Sequence, residues 1–397
     1  MLSNGRHYLA IPGPSVMPDR VLNAMHRAAP NIYAGEMPAM MPGVVADLKA
    51  VARTAGKCAI YISNGHGAWE AALANVLSRG DRVLVLATGR FAHGWAEVAQ
   101  RMGADCEILD HGKRAPANMD RLAQALAEDT EHRIKAVMAV HVDTSTSVRN
   151  DVPGMRAALD AANHPALLMV DCIASLACDD FRMDEWGVDV MVSACQKGLM
   201  TPPGLGFVFY NERAEAVHET ADLATHYWDW KVRGAAEQLW QYFDGTAPTH
   251  HIYGLRAALD MIAEEGLDNV HARHATLARA VWAAFEAWGS EGPMELNIAD
   301  PALRSHAVTS LRIGGDHGDR LRDWTMANAG VTLGIGLGMV APDDRGSGGF
   351  FRLGHMGHVN AHMVLGALGA IDAGLKALDI PHGKGALEAA SAVCAGR

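Results

Sequence analysis

The sequence predicts an α/β protein in which a mostly parallel sheet lies between helices and a smaller α+β unit follows. Three observations carry this expectation. From about residue 57 to 211, short runs rich in Val, Ile and Leu alternate with amphipathic stretches, the pattern of strand–helix units in a parallel sheet. The runs are almost continuously apolar, as strands covered on both faces are. Beyond about residue 250 the pattern becomes a long helical stretch and then shorter strand and helix units.

The expected strands are 81–88, 106–109, 134–142, 166–173, 188–193 and 206–210, with an apolar run at 58–62 ahead of them. Between them, 68–77, 91–102, 119–127 and 152–162 have helical periodicity. In the first of these, Trp69, Ala72, Leu73, Val76 and Leu77 share one face and Gly80 follows as a stop. The stretch 211–250 is less regular and holds Trp228, Trp230 and Trp240, expected to be packing or interface residues. A long helix then runs from about 252 to 288 with a break at Gly266. After Gly292 come a strand (306–313), a helix (318–329), two strands (331–337 and 350–354) and a helix (360–378), with an Asp- and Gly-rich loop at 342–349. The resulting division is an N-terminal segment (1–15), a large domain (16–250) and a linking helix with a small C-terminal domain (251–397). A chain of 397 residues has room for two or three domains and needs no disulfide staple.

Composition narrows the function classes. Hydrophobic residues at 49% and charged residues at 20% exclude a disordered chain. A net charge of −11 argues against nucleic acid or an anionic membrane as the main partner, while leaving room for a local basic pocket. No apolar stretch reaches about 18 residues and no leader-like apolar run opens the chain, so a cytoplasmic protein is expected. The six cysteines form no CxxC pair and no zinc-like spacing, and free thiols in a reducing cytosol are expected. His250 and His251 are adjacent, a poor arrangement for one metal, so no metal site is expected. Neither GxxxxGK[ST] nor a GxGxxG after the first strand is present, which removes the two commonest nucleotide signatures.

Three motifs remain. Ser63-Asn64-Gly65-His66-Gly67-Ala68-Trp69-Glu70 is a Gly-rich turn leading into a helix. It reads either as a phosphate cradle at a helix N-terminus or as an ordinary N-capped turn. Asp171 ends the apolar run Leu168-Met169-Val170. It is either a loop-capping residue or a ligand group at the carboxyl end of a strand, where open α/β sheets bind ligands. Lys197 ends the run Val192-Ser193-Ala194-Cys195-Gln196 and stands before Gly198. It is either a solvated end charge or a lysine that holds a carbonyl carbon as a Schiff base. Lys197 lies 26 residues after Asp171. Phosphate cradle, acid and lysine together are the set that pyridoxal 5′-phosphate (PLP) requires.

On these residues the chain resembles the class V aminotransferases, a family of fold-type I PLP enzymes, and within it the alanine, serine and aspartate–glyoxylate aminotransferases. The resemblance runs from Ile11-Pro12-Gly13-Pro14-Ser15 to Arg352-Leu353-Gly354-His355-Met356-Gly357 and is most specific at Asn64-Gly65-His66-Gly67-Ala68-Trp69-Glu70-Ala71-Ala72-Leu73, at 181–189, and at Gln196-Lys197 with Pro202-Pro203-Gly204. It implies PLP as cofactor and amino-group transfer from an amino acid to glyoxylate or pyruvate in ping-pong fashion. Lys197 is implied as the Schiff-base lysine and Asp171 as the partner of the pyridine nitrogen. Gly65, His66, Gly67 and Gln196 are implied at the phosphate, Phe91 as a ring-stacking aromatic and Thr144 beside the ring oxygen. Thr246, in Asp244-Gly245-Thr246-Ala247-Pro248, is implied to reach the phosphate of a neighbouring subunit, hence a homodimer with shared sites.

Arg352 is the implied carboxylate fork, its other reading being a structural ion-paired arginine. Gly13 and Tyr33 are further expected substrate contacts, and Arg345 is a weaker candidate cation in the 342–349 loop. Where relatives carry Asp-His-Arg-Ser-Pro near residue 35, this chain has Tyr33-Ala34-Gly35-Glu36-Met37-Pro38, which leaves the amino donor open. Two alternatives remain. A pyridoxamine–pyruvate aminotransferase is similar at 377–385 and 354–357, but has an extra arginine near Leu337. A PLP lyase such as a cysteine desulfurase needs a loop cysteine, and Cys195 lies on a strand.

Overall fold

A computed structural model gives the structure of residues 2–340 and 345–396. Residues 342–344 of the expected loop and the Arg345 side chain lie outside the described residues. The first strand, β1 (Tyr8–Ala10), is followed by seven that build the large sheet. These are β2 (Lys57–Ser63), β3 (Arg82–Ala87), β4 (Asp105–Asp110), β5 (Ile134–Val140), β6 (Leu167–Asp171), β7 (Val190–Ala194) and β8 (Gly204–Tyr210). Their order is β2-β8-β7-β6-β5-β3-β4. The pairs from β4 through β7 are parallel, and β8 is antiparallel to both β7 and β2. The expected mostly parallel sheet is therefore present. Because two reversals cancel, β2 runs with the parallel set, so Ser63, Ala87, Val140, Asp171 and Ala194 all end strands at one edge of the sheet.

The continuous apolar strands follow from two covered faces. In β3, Leu84 and Leu86 enter a core with Val137, Leu168 and Val170, while Val83 and Val85 enter another with Met138, Met169 and Val192. Alternate side chains of one strand thus meet different helix layers. The second face is covered by helices that follow β2 and β3 directly.

The first four helices are α1 (Asp19–Met25), α2 (Glu36–Ala52), α3 (Gly65–Val76) and α4 (Arg90–Met102), and α3 and α4 start at the site. The sequence reading assigned no element before residue 57, so α1, α2 and β1 are additions. In α2 the buried residues Met37, Met41, Val44, Leu48 and Val51 do keep a helical spacing. Pro38, Pro42 and Gly43 obscure it, since proline inside a helix removes one hydrogen bond and usually marks a boundary.

The second sheet has the order β1-β11-β12-β10-β9, with β9 (Glu295–Leu296), β10 (Val308–Arg312), β11 (Val331–Ile335) and β12 (Phe350–Gly354). Only the β1–β11 pair is parallel. The long helical stretch is two helices, Thr249–Glu265 and Leu267–Gly289, broken where Gly266 adopts φ 84°. The first packs into the core of the large sheet through Ile252, Leu255 and Leu259, and the second carries Leu277, Val281 and Phe285 into the core of the small one. No described helix is long and apolar enough to cross a membrane.

The N-terminal segment joins the two sheets. It leaves β1 and passes the end of β7, where the Ser15 N–H donates to the Gln196 carbonyl oxygen at 2.8 Å and Ser15 Oγ donates to the Lys197 carbonyl oxygen at 2.7 Å.

Candidate active site

At the carboxyl edge of the large sheet lies a cavity of about 290 Å³. Gly13, Gly65, His66, Phe91, Thr144, Asp171, Gln196 and Lys197 line it, so eight of the expected residues, drawn from six separate loops or strand ends, meet in one place. Lys197 follows β7 by three residues. Its side chain is buried, and Nζ donates to the Pro12 carbonyl oxygen. Burial, reinforced by Arg352, pushes the amine down to about 8 against the pull of Asp171.

Asp171 closes β6 and is 2% exposed. Its two oxygens are held separately. The Ile173 N–H donates to Oδ1 at 2.7 Å, and the indole Nε1–H of Trp69 donates to Oδ2 at 2.7 Å. Burial pushes this carboxyl up to about 7, while the two hydrogen bonds and Lys197 act in the opposite direction. Trp69 sits in the first turns of α3, stacked on Trp95 at 6.1 Å, edge-on to Phe91 at 6.3 Å and 4.6 Å from the His66 ring.

The Gly-rich turn forms the N-terminus of α3, as expected. Asn64 is its N-cap, and Oδ1 accepts from the His66 N–H at 3.0 Å and the Gly67 N–H at 3.3 Å. The capped-turn reading is therefore present in full, and Gly67 faces away from the cavity toward Ser63 and Trp228. Gly65 has a separate reason to be glycine, since a Cβ there would lie 2.4 Å from Ile173 Cδ1. Burial, with Arg90 nearby, lowers the His66 imidazole pKa and favours its neutral form.

Phe91 and Thr144 are fixed by a residue that the sequence reading did not single out. Asp143 is buried; one oxygen accepts from the Phe91 N–H at 3.0 Å and the other from the Ser145 N–H at 2.9 Å and from Ser145 Oγ at 2.5 Å. Gly89 gives it room, because a Cβ there would lie 2.4 Å from the carboxylate. Trp69 was likewise read only as a core residue of its helix face. The available signal was its place within the family-like run; its bond to Asp171 has no sequence signature.

Arg352 lies in β12 of the other sheet and is 6% exposed. Nε donates to the Ile335 carbonyl oxygen at 2.7 Å and Nη1 to the Thr144 carbonyl oxygen at 2.8 Å, leaving Nη2 without a partner among the described residues. Burial lowers its pKa to about 10, so it stays charged at neutral pH. Thr246 and Tyr33 are placed elsewhere. Both are exposed, Tyr33 at 89%, and neither lines the cavity. Trp230 is core, stacked on Tyr210 at 4.0 Å, and Trp240 is 56% exposed.

The residues present fit PLP on two counts. The first turn of α3, with Asn64, Gly65 and His66, lines the cavity and turns the positive end of the helix toward it, where a phosphate would sit. A buried amine and a buried carboxylate line the same cavity and suit an aldehyde and a ring nitrogen. A buried amine and a fixed carboxylate at the carboxyl edge of such a sheet are the groups that an aldehyde cofactor would need.

The comparisons with known proteins agree. The family model for aminotransferase class-V matches residues 7–342. The serine–glyoxylate aminotransferase of Arabidopsis thaliana is 37% identical, over 96% of this chain and 93% of its own. The L-aspartate–glyoxylate aminotransferase of Paracoccus denitrificans is 36% identical, over 94% of this chain and 91% of its own. Among solved structures, the pyridoxamine–pyruvate aminotransferase of Mesorhizobium loti overlays with a TM-score of 0.87 at 26% identity, covering 98% of this chain and 97% of that one. The chain belongs to the class-V aminotransferase family, and it is an aminotransferase.

Proposed function

We propose that the protein is a PLP-dependent amino acid–glyoxylate aminotransferase, acting in the cytoplasm as a homodimer. The observation that carries the reading is the shared cavity of Lys197 and Asp171 with the Arg352 fork anchored on Thr144 at its side. Bound there, PLP supplies an aldehyde that takes up the amino group and a ring that withdraws electrons from the substrate Cα.

The chain's own residues do the rest. Lys197 Nζ, with its pKa held near 8, is partly unprotonated at neutral pH and moves the proton off and onto the substrate Cα. Asp171 presents a carboxylate to the ring nitrogen. The start of α3 and the side-chain amide N–H of Gln196 would hold the phosphate. Arg352 Nη2 takes the substrate carboxylate, while Nε and Nη1 keep the fork from rotating. Phe91 would pack on the ring, Thr144 would lie beside the ring oxygen, and Gly13 leaves the Lys197 amine room to move. Thr246 and Tyr33, exposed in the single chain, act at the partner's site and at the substrate entrance.

The test is a donor panel of serine, alanine and aspartate with glyoxylate or pyruvate as acceptor. Each donor is also added to the holoenzyme without acceptor, and the absorption of the bound cofactor is followed. Conversion of the cofactor to its amine form by one of these donors is the expected result. No conversion with any donor overturns the reading. The overlap with the pyridoxamine–pyruvate enzyme favours a second pair for the panel, pyridoxamine with pyruvate. Retention of PLP through gel filtration separates a resident cofactor from a vitamer substrate.

A further inference from the structure

We propose that Trp69 is a positioning residue for the cofactor site: its indole N–H fixes the Asp171 carboxylate in the orientation that engages the ring nitrogen. The inference rests on the PLP reading above and concerns a residue to which neither the sequence motifs nor the family likeness gives a role.

Four observations carry it. The Nε1–Oδ2 distance of 2.7 Å is that of a charge-assisted bond. The bond is buried on both sides, with Trp69 at 1% and Asp171 at 2% exposure. The two carboxylate oxygens have different donors, Ile173 N–H on Oδ1 and Trp69 on Oδ2, which fixes rotation about the terminal torsion. The indole is itself held by Trp95, Phe91 and His66.

The neighbouring Trp95 supplies the contrast. Its indole nitrogen is buried with no hydrogen-bond partner among the described residues. The same aromatic stack thus leaves one N–H unbonded and aims the other at the carboxylate. Through Trp69, the helix that starts at the Gly65 turn, the helix that starts at Arg90 and carries Phe91, and the strand that ends in Asp171 are tied by one side chain. Loss of the N–H leaves Oδ2 buried and less satisfied, and the carboxylate turns or takes a proton; either change weakens its grip on a ring nitrogen. It leaves contacts to the ring face and phosphate in place.

The experiment exploits that difference. Full-length apoprotein is titrated with PLP and with an analogue in which the ring nitrogen is replaced by C–H. The ratio of the two dissociation constants reports the Asp171 contact alone. Wild type is expected to prefer PLP. Trp69→Phe, and a variant carrying benzothienylalanine at position 69 (sulfur in place of the N–H, same shape), are expected to lower that preference by roughly tenfold, the scale of one hydrogen bond to a charged group. Trp95→Phe, which disturbs the same stack, is expected to keep the wild-type ratio. An unchanged ratio in either folded position-69 variant, or an equal loss in Trp95→Phe, overturns the proposal while leaving the function untouched. Binding of neither compound by wild type overturns the function reading as well. Should Trp69→Phe not fold, the isosteric variant decides.

Discussion

Arg352 reaches from the small sheet to the large one and donates from Nη1 to the carbonyl oxygen of Thr144 at 2.8 Å. The substrate fork and the loop beside the cofactor cavity are therefore one hydrogen-bonded unit, although they lie 208 residues apart in the chain. A lysine at 352 carries the charge, but its three donors sit on one nitrogen and cannot span Thr144 and Ile335 while presenting a planar fork to a carboxylate. Arg352→Lys is expected to lower kcat/KM for the amino donor by about a hundredfold, roughly 2.7 kcal/mol, with the PLP content of the purified protein unchanged. Steady-state kinetics and the cofactor absorbance of the same sample check both halves.

Lys197 gives a prediction that links pH to stability. Burial holds its amine down to about 8, from an ordinary value of 10.5. Between those pH values the unfolded chain binds a proton that the folded apoprotein does not. Stability of the wild-type apoprotein from this group therefore rises with pH across that window, and below it the folded state bears the full cost of a buried charge. Lys197→Met removes the cost. Its apoprotein is expected to be more stable than wild type at pH 7, by up to about 3 kcal/mol, with the gap closing by pH 10.5. Thermal melts of the two apoproteins at a series of pH values measure it. The same variant is expected to show no turnover and no linkage of PLP to protein by borohydride.

The strands of the large sheet and the two charged residues at their ends were legible because each is a local signal. A run such as Leu168-Met169-Val170 ending in Asp171 shows the strand and the anomaly together. The cap at Asn64 and the glycine at 65 were legible for the same reason. What was missed depends on contacts between distant segments. Trp69 on a helix face looks like any core tryptophan until Asp171, 102 residues away, is placed beside it. Asp143 looks like a turn residue until the Phe91 N–H meets it. β1 is three residues long and exists only because the edge of β11 accepts it. The helix α2 was hidden by prolines whose cost is offset by five buried apolar side chains.

Asp143 therefore supports two site residues at once, by capping the start of α4 at Phe91 and by closing the turn that presents Thr144. Asp143→Ala leaves the Phe91 and Ser145 N–H groups unpaired inside the protein. The expected cost is about 3 kcal/mol, since each buried donor left without a partner costs about 1–3 kcal/mol. Because Phe91 and Thr144 both line the cavity, PLP affinity is expected to fall together with stability. Denaturant unfolding of the apoprotein and a PLP titration give the two numbers. A loss of stability with wild-type PLP affinity contradicts the placement of these residues at the cofactor.

The N-terminal segment sets the position of the catalytic amine. Gly13 has φ 98°, a backbone conformation that alanine adopts only at a cost, and a Cβ there would lie 2.4 Å from Lys197 Nζ. The end of a lysine chain is flexible, so Gly13→Ala is expected to fold, with the lysine displaced rather than the strand. Displacement by even 1 Å costs reactivity out of proportion to stability, because proton transfer needs the amine at a fixed distance from the substrate Cα. The variant is expected to lose about 1–2 kcal/mol of stability, the scale of an L-residue forced to a positive φ, and at least tenfold in kcat, with KM for the donor changed little because Arg352 is untouched. Wild-type kcat in a folded Gly13→Ala protein shows that the Ile11–Ser15 crossing does not control the lysine.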